Sequence, residues 1–116
     1  MALPVLLFAM AAQAASPSAQ EQDLRCIAVM AAIIGKADES KRAAVTPLMM
    51  YYVGRANGRD PALKLEPELR RVYGDTAAFG KSFPVEAARC GAEMEVVGKD
   101  LMRIGDALKQ SETSSK

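Results

Sequence analysis

The pattern of apolar and polar positions is most regular in the last third of the chain. Apolar side chains recur there at alternating steps of three and four residues, which keeps them on one face of an α-helix. The positions of this seam are Ala87, Cys90, Met94, Val97, Leu101, Ile104 and Leu108. Charged side chains occupy the opposite face, so the pattern predicts a helix from Phe83 to about Leu108.

Glycines at Gly91, Gly98 and Gly105 lie beside this seam, at intervals of seven residues. Each glycine in a helix costs about 1 kcal/mol relative to alanine. A stripe of glycines is therefore expected where the backbone of another helix approaches closely. We predict close helix packing at all three positions.

The chain before this seam predicts three further helices. The first runs from about Ala19 to Ile34, and Ser18 and Glu21 fit a capping box at its start. Gly35 is expected to end it, because glycine commonly follows the last residue of a helix. Apolar residues cover nearly every face of its second half, which predicts a helix buried on most sides.

The second predicted helix begins near Asp38 and ends at about Ala56, before Asn57-Gly58. Pro47 either kinks this helix or starts a new one, and we favour a single kinked helix. A short third helix is predicted from Pro67 to Tyr73. An irregular loop is expected over residues 74–82.

The first fourteen residues have the features of an export signal. Residues 2–12 are almost wholly apolar, and this run is too short to span a bilayer. Ala12 and Ala14 then form the small-x-small pattern that signal peptidase cleaves, which predicts a signal peptide over residues 1–14. No lysine or arginine precedes the run, and the alternative is an apolar N-terminal helix of the fold. A signal peptide places the mature protein in the periplasm or outside the cell.

The two cysteines of the chain, Cys26 and Cys90, lie in the first and last predicted helices. An even number of cysteines behind an export signal predicts a disulfide, because the exported compartments are oxidising. The alternative is a pair of free, buried thiols. With the bond formed, the expected fold is all-α, a small four-helix domain crosslinked by one disulfide.

This fold divides the chain into four segments. Residues 1–14 form the signal peptide and residues 15–22 an N-terminal lead-in. Residues 23–108 form a single helical domain. Residues 109–116 are polar and are predicted to be a disordered tail.

Composition narrows the possible functions. Fifteen basic and fourteen acidic residues give a net charge of +1, which provides no attraction toward nucleic acid. Histidine is absent, which excludes acid–base or nucleophilic chemistry based on that residue. No phosphate-binding glycine motif or metal-ligand cluster is present in the sequence. We therefore expect no catalytic residue, no cofactor and no metal site.

Five bulky apolar residues occur in succession from Met49 to Val53. They cannot all face one core, because successive helical residues point in different directions. Either this helix is buried on two sides, or Met49, Met50, Tyr51 and Tyr52 form a surface for a partner. Methionine and tyrosine are suited to such adaptable contacts.

The layout resembles the HdeA/HdeB-like superfamily of small periplasmic helical proteins over about residues 24–106. The resemblance is carried by Cys26, by the aromatic–glycine segment 51–58 and by Ala88-Arg89-Cys90. It implies a Cys26–Cys90 disulfide, and packing roles for Tyr52 and Gly54. Members of the superfamily include acid-stress chaperones, and the Tai-type immunity proteins of type VI secretion have a similar plan.

The function expected from these features is that of an exported, non-enzymatic helical protein that binds other proteins. An HdeA-like chaperone of envelope or acid stress is the first form of this hypothesis. A specific inhibitor or immunity-type partner of one protein is the alternative, and a small-ligand binder or enzyme is the third. A homodimer is also considered. Nucleic acid is not expected as a partner, and neither is stable membrane insertion after signal cleavage.

Overall fold

The computed structural model describes residues 16–115 of the chain. Within this range the regular structure consists of α-helices alone, which confirms the predicted all-α class. The four helices are α1 (Ala19–Lys36), α2 (Glu39–Arg59), α3 (Leu65–Tyr73) and α4 (Thr76–Ser114). The predicted signal peptide lies outside the described residues and stays a prediction.

Side-chain caps define where α1 and α2 begin. Ser18 begins α1 as predicted, since its side chain accepts a hydrogen bond of 3.0 Å from the Glu21 backbone N–H. Gly35 does not end α1, because it keeps a helical conformation. The backbone first becomes extended at Ala37. At the start of α2, the Asp38 side chain accepts a hydrogen bond of 2.9 Å from the backbone N–H of Lys41.

Helix α2 is continuous through Pro47 and extends past the predicted stop at Asn57-Gly58 to Arg59. The helix ends one residue before Asp60-Pro61, because a proline disfavours helical geometry in the residue that precedes it. The expected end at Ala56 was therefore wrong by three residues.

Helix α4 differs most from the prediction. It begins at Thr76, inside the segment 74–82 that was expected to be a loop, and it includes Pro84. Asp75 caps this start by accepting 3.0 Å from the backbone N–H of Ala78. The helix also continues beyond Leu108 through the predicted disordered tail to Ser114.

Helix α1 is the centre of the fold and packs against each of the other three helices. The fully buried side chains lie mainly on α1, with two from α2 and one from α4. They include Cys26, Ile27 and Val29 of α1, Tyr52 and Ala56 of α2, and Cys90 of α4. Helix α3 contributes half-buried side chains only, among them Leu65, Leu69 and Val72.

Only the first part of α4 belongs to this bundle. Its 39 residues correspond to a rod of about 58 Å at about 1.5 Å per residue. Cys90 is buried against α1, whereas every residue from 101 to 115 is exposed. The second half of α4 therefore extends beyond the bundle.

The predicted close packing at glycine is wrong within this chain. At Gly54, Gly91, Gly98 and Gly105 an added Cβ would have no neighbour within 4 Å in the described structure. The stripe on α4 lies beside a helix face that is covered only near Cys90. Its later glycines consequently face open space.

No helix within residues 16–115 combines the length and the apolar character needed to cross a membrane.

Candidate functional site

A disulfide joins Cys26 to Cys90 and confirms the predicted crosslink. The S–S distance is 2.04 Å and the two Cα atoms lie 5.7 Å apart. Both cysteines are fully buried, so the bond lies inside the core where α1 crosses α4. It fixes the first half of α4 on the bundle and leaves the second half projecting.

The predicted partner surface on α2 is divided by the fold. Tyr52 is fully buried against the disulfide region, so it cannot belong to an exposed surface. Tyr51 is half-buried and packs edge-on against Tyr52, with ring centroids 5.2 Å apart. Met49 is also half-buried, whereas Met50 is 66% exposed. One of the four predicted residues is thus freely available to a partner.

Among residues 16–115, the fully buried charged side chain is that of Asp23 on α1. The guanidinium of Arg55 donates to both of its carboxylate oxygens, with an Nε–Oδ2 distance of 2.9 Å. Arg59 donates to Oδ2 as well. Arg55 also donates 2.6 Å to Oε1 of Glu93 on α4. These four side chains, which we call the Asp23 cluster, connect α1, α2 and α4.

Electrostatics in the Asp23 cluster favour the charged forms. Burial raises the pKa of the Asp23 carboxyl, but the hydrogen bonds from Arg55 and Arg59 outweigh burial and hold that pKa below its ordinary value. The pKa of the Arg55 guanidinium is raised in turn, first by its hydrogen bonds to Asp23 and then by its hydrogen bond to Glu93. At neutral pH the cluster is therefore a set of mutually compensated charges.

Arginine side chains pair both carboxylate oxygens of Asp23 in this arrangement. In the described part of the chain no buried side-chain nitrogen or oxygen lacks a hydrogen-bond partner. Residues 16–115 also contain no group of three ligand side chains that could hold a metal ion. The Asp23 cluster satisfies its own charges, which is the behaviour of a structural connection between helices.

The second half of the α4 seam is an exposed apolar feature. Leu101 and Leu108 are 61% and 67% exposed, and Ile104 is 39% exposed. Together with the half-buried Val97 they continue the helix face that is buried at Cys90. We call Val97, Leu101, Ile104 and Leu108 the α4 ridge. The sequence correctly predicted one continuous apolar face, but the fold covers only its first half.

A second apolar feature is a groove between the α1–α2 corner and the α3–α4 corner. Its volume is about 630 Å³. Three aromatic rings form one wall, with Tyr73 and Phe79 stacked at 4.3 Å and Phe79 edge-on to Phe83 at 5.9 Å. Lys36 and Lys41 lie at its rim. We call this feature the aromatic groove.

Sequence reasoning missed both the Asp23 cluster and the aromatic groove. A signal for the cluster existed, because Asp23 precedes Cys26 by three residues and so shares its helix face. The groove depends on the first turns of α4, which were assigned to a loop. Its three rings could not be placed together without that helix.

Comparison of the chain with protein-family models, with curated proteins and with solved structures finds no match.

Proposed function

We propose that this chain is an exported, non-enzymatic helical protein that binds other proteins, and that the α4 ridge is its contact surface. The observation that carries the proposal is the exposure of Leu101 and Leu108 on a helix whose first half is held by a buried disulfide. Large contiguous apolar patches with a polar rim mark interaction sites on monomeric proteins.

The geometry of the α4 ridge fits a helical partner or a hydrophobic groove. Its side chains follow one another at steps of four, three and four residues, which is the spacing by which amphipathic helices enter grooves or coiled coils. The flanks of the same helix carry exposed ion pairs, including Glu95 with Lys99 and Asp100 with Arg103. These flanks keep the helix solvated while the ridge remains free.

A protective role at low pH is the first form of this proposal. Acid protonates the fourteen carboxylates of the chain and leaves its fifteen basic side chains charged. Protonation of Asp23 also removes the carboxylate that connects Arg55 and Arg59 to α1. Repulsion would then loosen the bundle and add apolar surface to the ridge, while the disulfide keeps α1 and α4 together. The resemblance to the HdeA/HdeB-like superfamily supports this form.

Binding of one specific partner is the second form, and the exposure of the α4 ridge on a regular, preformed helix favours it. A rigid helix face needs no rearrangement to bind, so little conformational entropy is lost on association. This form agrees with an inhibitor or immunity-type role. The two forms differ in pH dependence and in the number of partners.

Light scattering of an acid-sensitive client protein separates the two forms. The client is exposed to pH 2–3 with and without the exported protein, and to heat at pH 7 as a comparison. The double variant Leu101→Ser/Leu108→Ser removes the ridge, and Met50→Ser is the matched control on α2. Suppression of scattering at low pH by the parent and by Met50→Ser, but not by the ridge variant, supports a chaperone.

The specific-partner form is tested by capture from periplasmic extract at pH 7. One partner should be recovered in a stoichiometric amount by the parent and by Met50→Ser, and lost with the ridge variant. Sedimentation of the purified protein shows whether that partner is a second copy of the chain. If the ridge variant equals the parent in both experiments, the α4 ridge is not the contact surface and the proposal fails.

A further inference from the structure

The aromatic groove contains apolar surface that the core does not use. Tyr73, Phe79 and Phe83 remain half-buried, and none of them belongs to the core cluster around Cys26 and Cys90. Ile33 of α1 forms part of the opposite wall. Sites for small molecules typically have volumes of about 300–1,000 Å³ and are lined mainly by apolar and aromatic side chains. The groove has that size and that lining.

The rim of the groove is positively charged. Lys36 in the last turn of α1 and Lys41 in the first turn of α2 are both exposed. Neither forms an ion pair with a carboxylate among the described residues. The carboxylate at the groove is that of Asp38, and it is engaged in capping the backbone N–H of Lys41. Two ammonium groups without an ion-pair partner and one carboxylate therefore adjoin an aromatic wall, which leaves the rim with a net positive charge.

From this juxtaposition we infer that the aromatic groove binds a single-chain amphiphilic anion of the fatty-acid carboxylate class. The carboxylate lies between Lys36 and Lys41, and the hydrocarbon chain lies along Tyr73, Phe79 and Phe83. This site is separate from the α4 ridge, and the inference does not depend on the proposed function.

The chemistry of the groove sets the expected order of affinities. A neutral amphiphile of equal length gains the apolar contact but not the attraction of the lysines. Each fully buried methylene contributes about 0.8 kcal/mol, and the groove is partly open. Two added carbons should therefore tighten binding by about 4- to 15-fold until the chain exceeds the groove. Loss of one exposed lysine should weaken binding by about 2- to 5-fold.

The experiment is calorimetric titration of the whole exported protein at pH 7, below the micelle concentration of each probe. The probes are octanoate, decanoate and dodecanoate, with 1-decanol as the neutral match for decanoate. The variants are Lys36→Met, Lys41→Met and the double substitution, with Lys109→Met as a matched control on the exposed end of α4. Circular dichroism verifies that each variant is folded.

The inference is supported if affinity rises with chain length and decanoate binds more tightly than 1-decanol. The double substitution should remove that preference, while Lys109→Met leaves it intact. Phe79→Ala should weaken the binding of octanoate, decanoate and dodecanoate. Equal affinity for decanoate and 1-decanol would overturn the inference, and so would unchanged binding in the double variant. Loss of binding in Leu101→Ser/Leu108→Ser would assign the probes to the α4 ridge and overturn it as well.

Discussion

The hydroxyl of Tyr52 donates a hydrogen bond of 2.9 Å to the backbone carbonyl of Cys90. This bond joins α2 to the disulfide-bearing turn of α4 inside the core, where both residues are fully buried. Oε2 of Glu93 lies 3.3 Å from the same hydroxyl. Burial, reinforced by the Glu93 carboxylate, raises the pKa of the Tyr52 hydroxyl, so it remains a proton donor at every ordinary pH.

Replacement of this tyrosine by phenylalanine tests the connection. Tyr52→Phe keeps the ring and removes the hydroxyl, and we expect a loss of about 0.5–1.5 kcal/mol in the free energy of unfolding. Tyr51→Phe is the matched control. Tyr51 is half-buried, and its hydroxyl accepts a hydrogen bond of 3.1 Å from Arg55, which has other partners. Removal of the Tyr51 hydroxyl should therefore lower the free energy of unfolding by less. Urea unfolding measures both, and a larger loss in Tyr51→Phe would contradict the structure.

Removal of the disulfide should have the largest effect of any change considered. The double variant Cys26→Ser/Cys90→Ser is expected to lose about 2–5 kcal/mol of unfolding free energy, as small exported domains do when a native bond is removed. The sequence separation of 64 residues makes the unfolded chain much less restricted without the bond. Intact mass before and after reduction verifies the bond in the parent. Full alkylation of the unreduced protein would contradict it.

The elements that the sequence predicted well have local causes. Ser18 caps α1 through its own side chain, and α3 ends at Tyr73 as expected. The disulfide was predicted from the even number of cysteines together with the expected export signal. A pattern read along the chain is sufficient for such features, because each depends on neighbouring residues or on a single pairing.

Two of the features that the sequence did not predict, the Asp23 cluster and the exposure of the α4 ridge, depend on how distant parts of the chain pack. The helical start of α4 has local support from the Asp75 cap and from the stacking of Phe79 on Tyr73, in a segment whose Asp75, Gly80 and Ser82 suggested a loop. The burial of Asp23 requires arginines that lie 32 and 36 positions away. The exposure of the α4 ridge follows from where the bundle ends, which periodicity does not reveal.

The open space at the glycine stripe gives a testable prediction that departs from the close packing expected from the sequence. A methyl group added at Gly98 meets no neighbour within 4 Å, so Gly98→Ala should remove only the conformational cost of glycine. We expect it to raise the stability of α4 by up to about 1 kcal/mol. Thermal unfolding at two protein concentrations measures the change. A lower melting temperature that depends on concentration would show that another chain approaches the stripe.

The Asp23 cluster makes stability depend on pH in a definite direction. Because the pKa of Asp23 is lower in the folded chain than in the unfolded one, its ionisation stabilises the fold. This contribution is fully present above about pH 5 and is lost as the pH falls through about 4 toward the lowered pKa. The ionisation of Glu21 also stabilises the folded chain, because the hydrogen bond from Arg71 lowers the pKa of the Glu21 carboxyl.

The variant Asp23→Asn isolates the contribution of Asp23, since Glu21 is unchanged in both proteins. At pH 7 we expect a loss of about 1–3 kcal/mol, less than for a fully buried pair because Arg55 and Arg59 are one-third exposed. The difference from the parent should shrink as the pH is lowered below 4. The control Glu66→Gln removes an exposed pair with Arg70 and should change little at any pH. Urea midpoints from pH 2 to 8 test this, and a constant difference between Asp23→Asn and the parent would rule out the linkage.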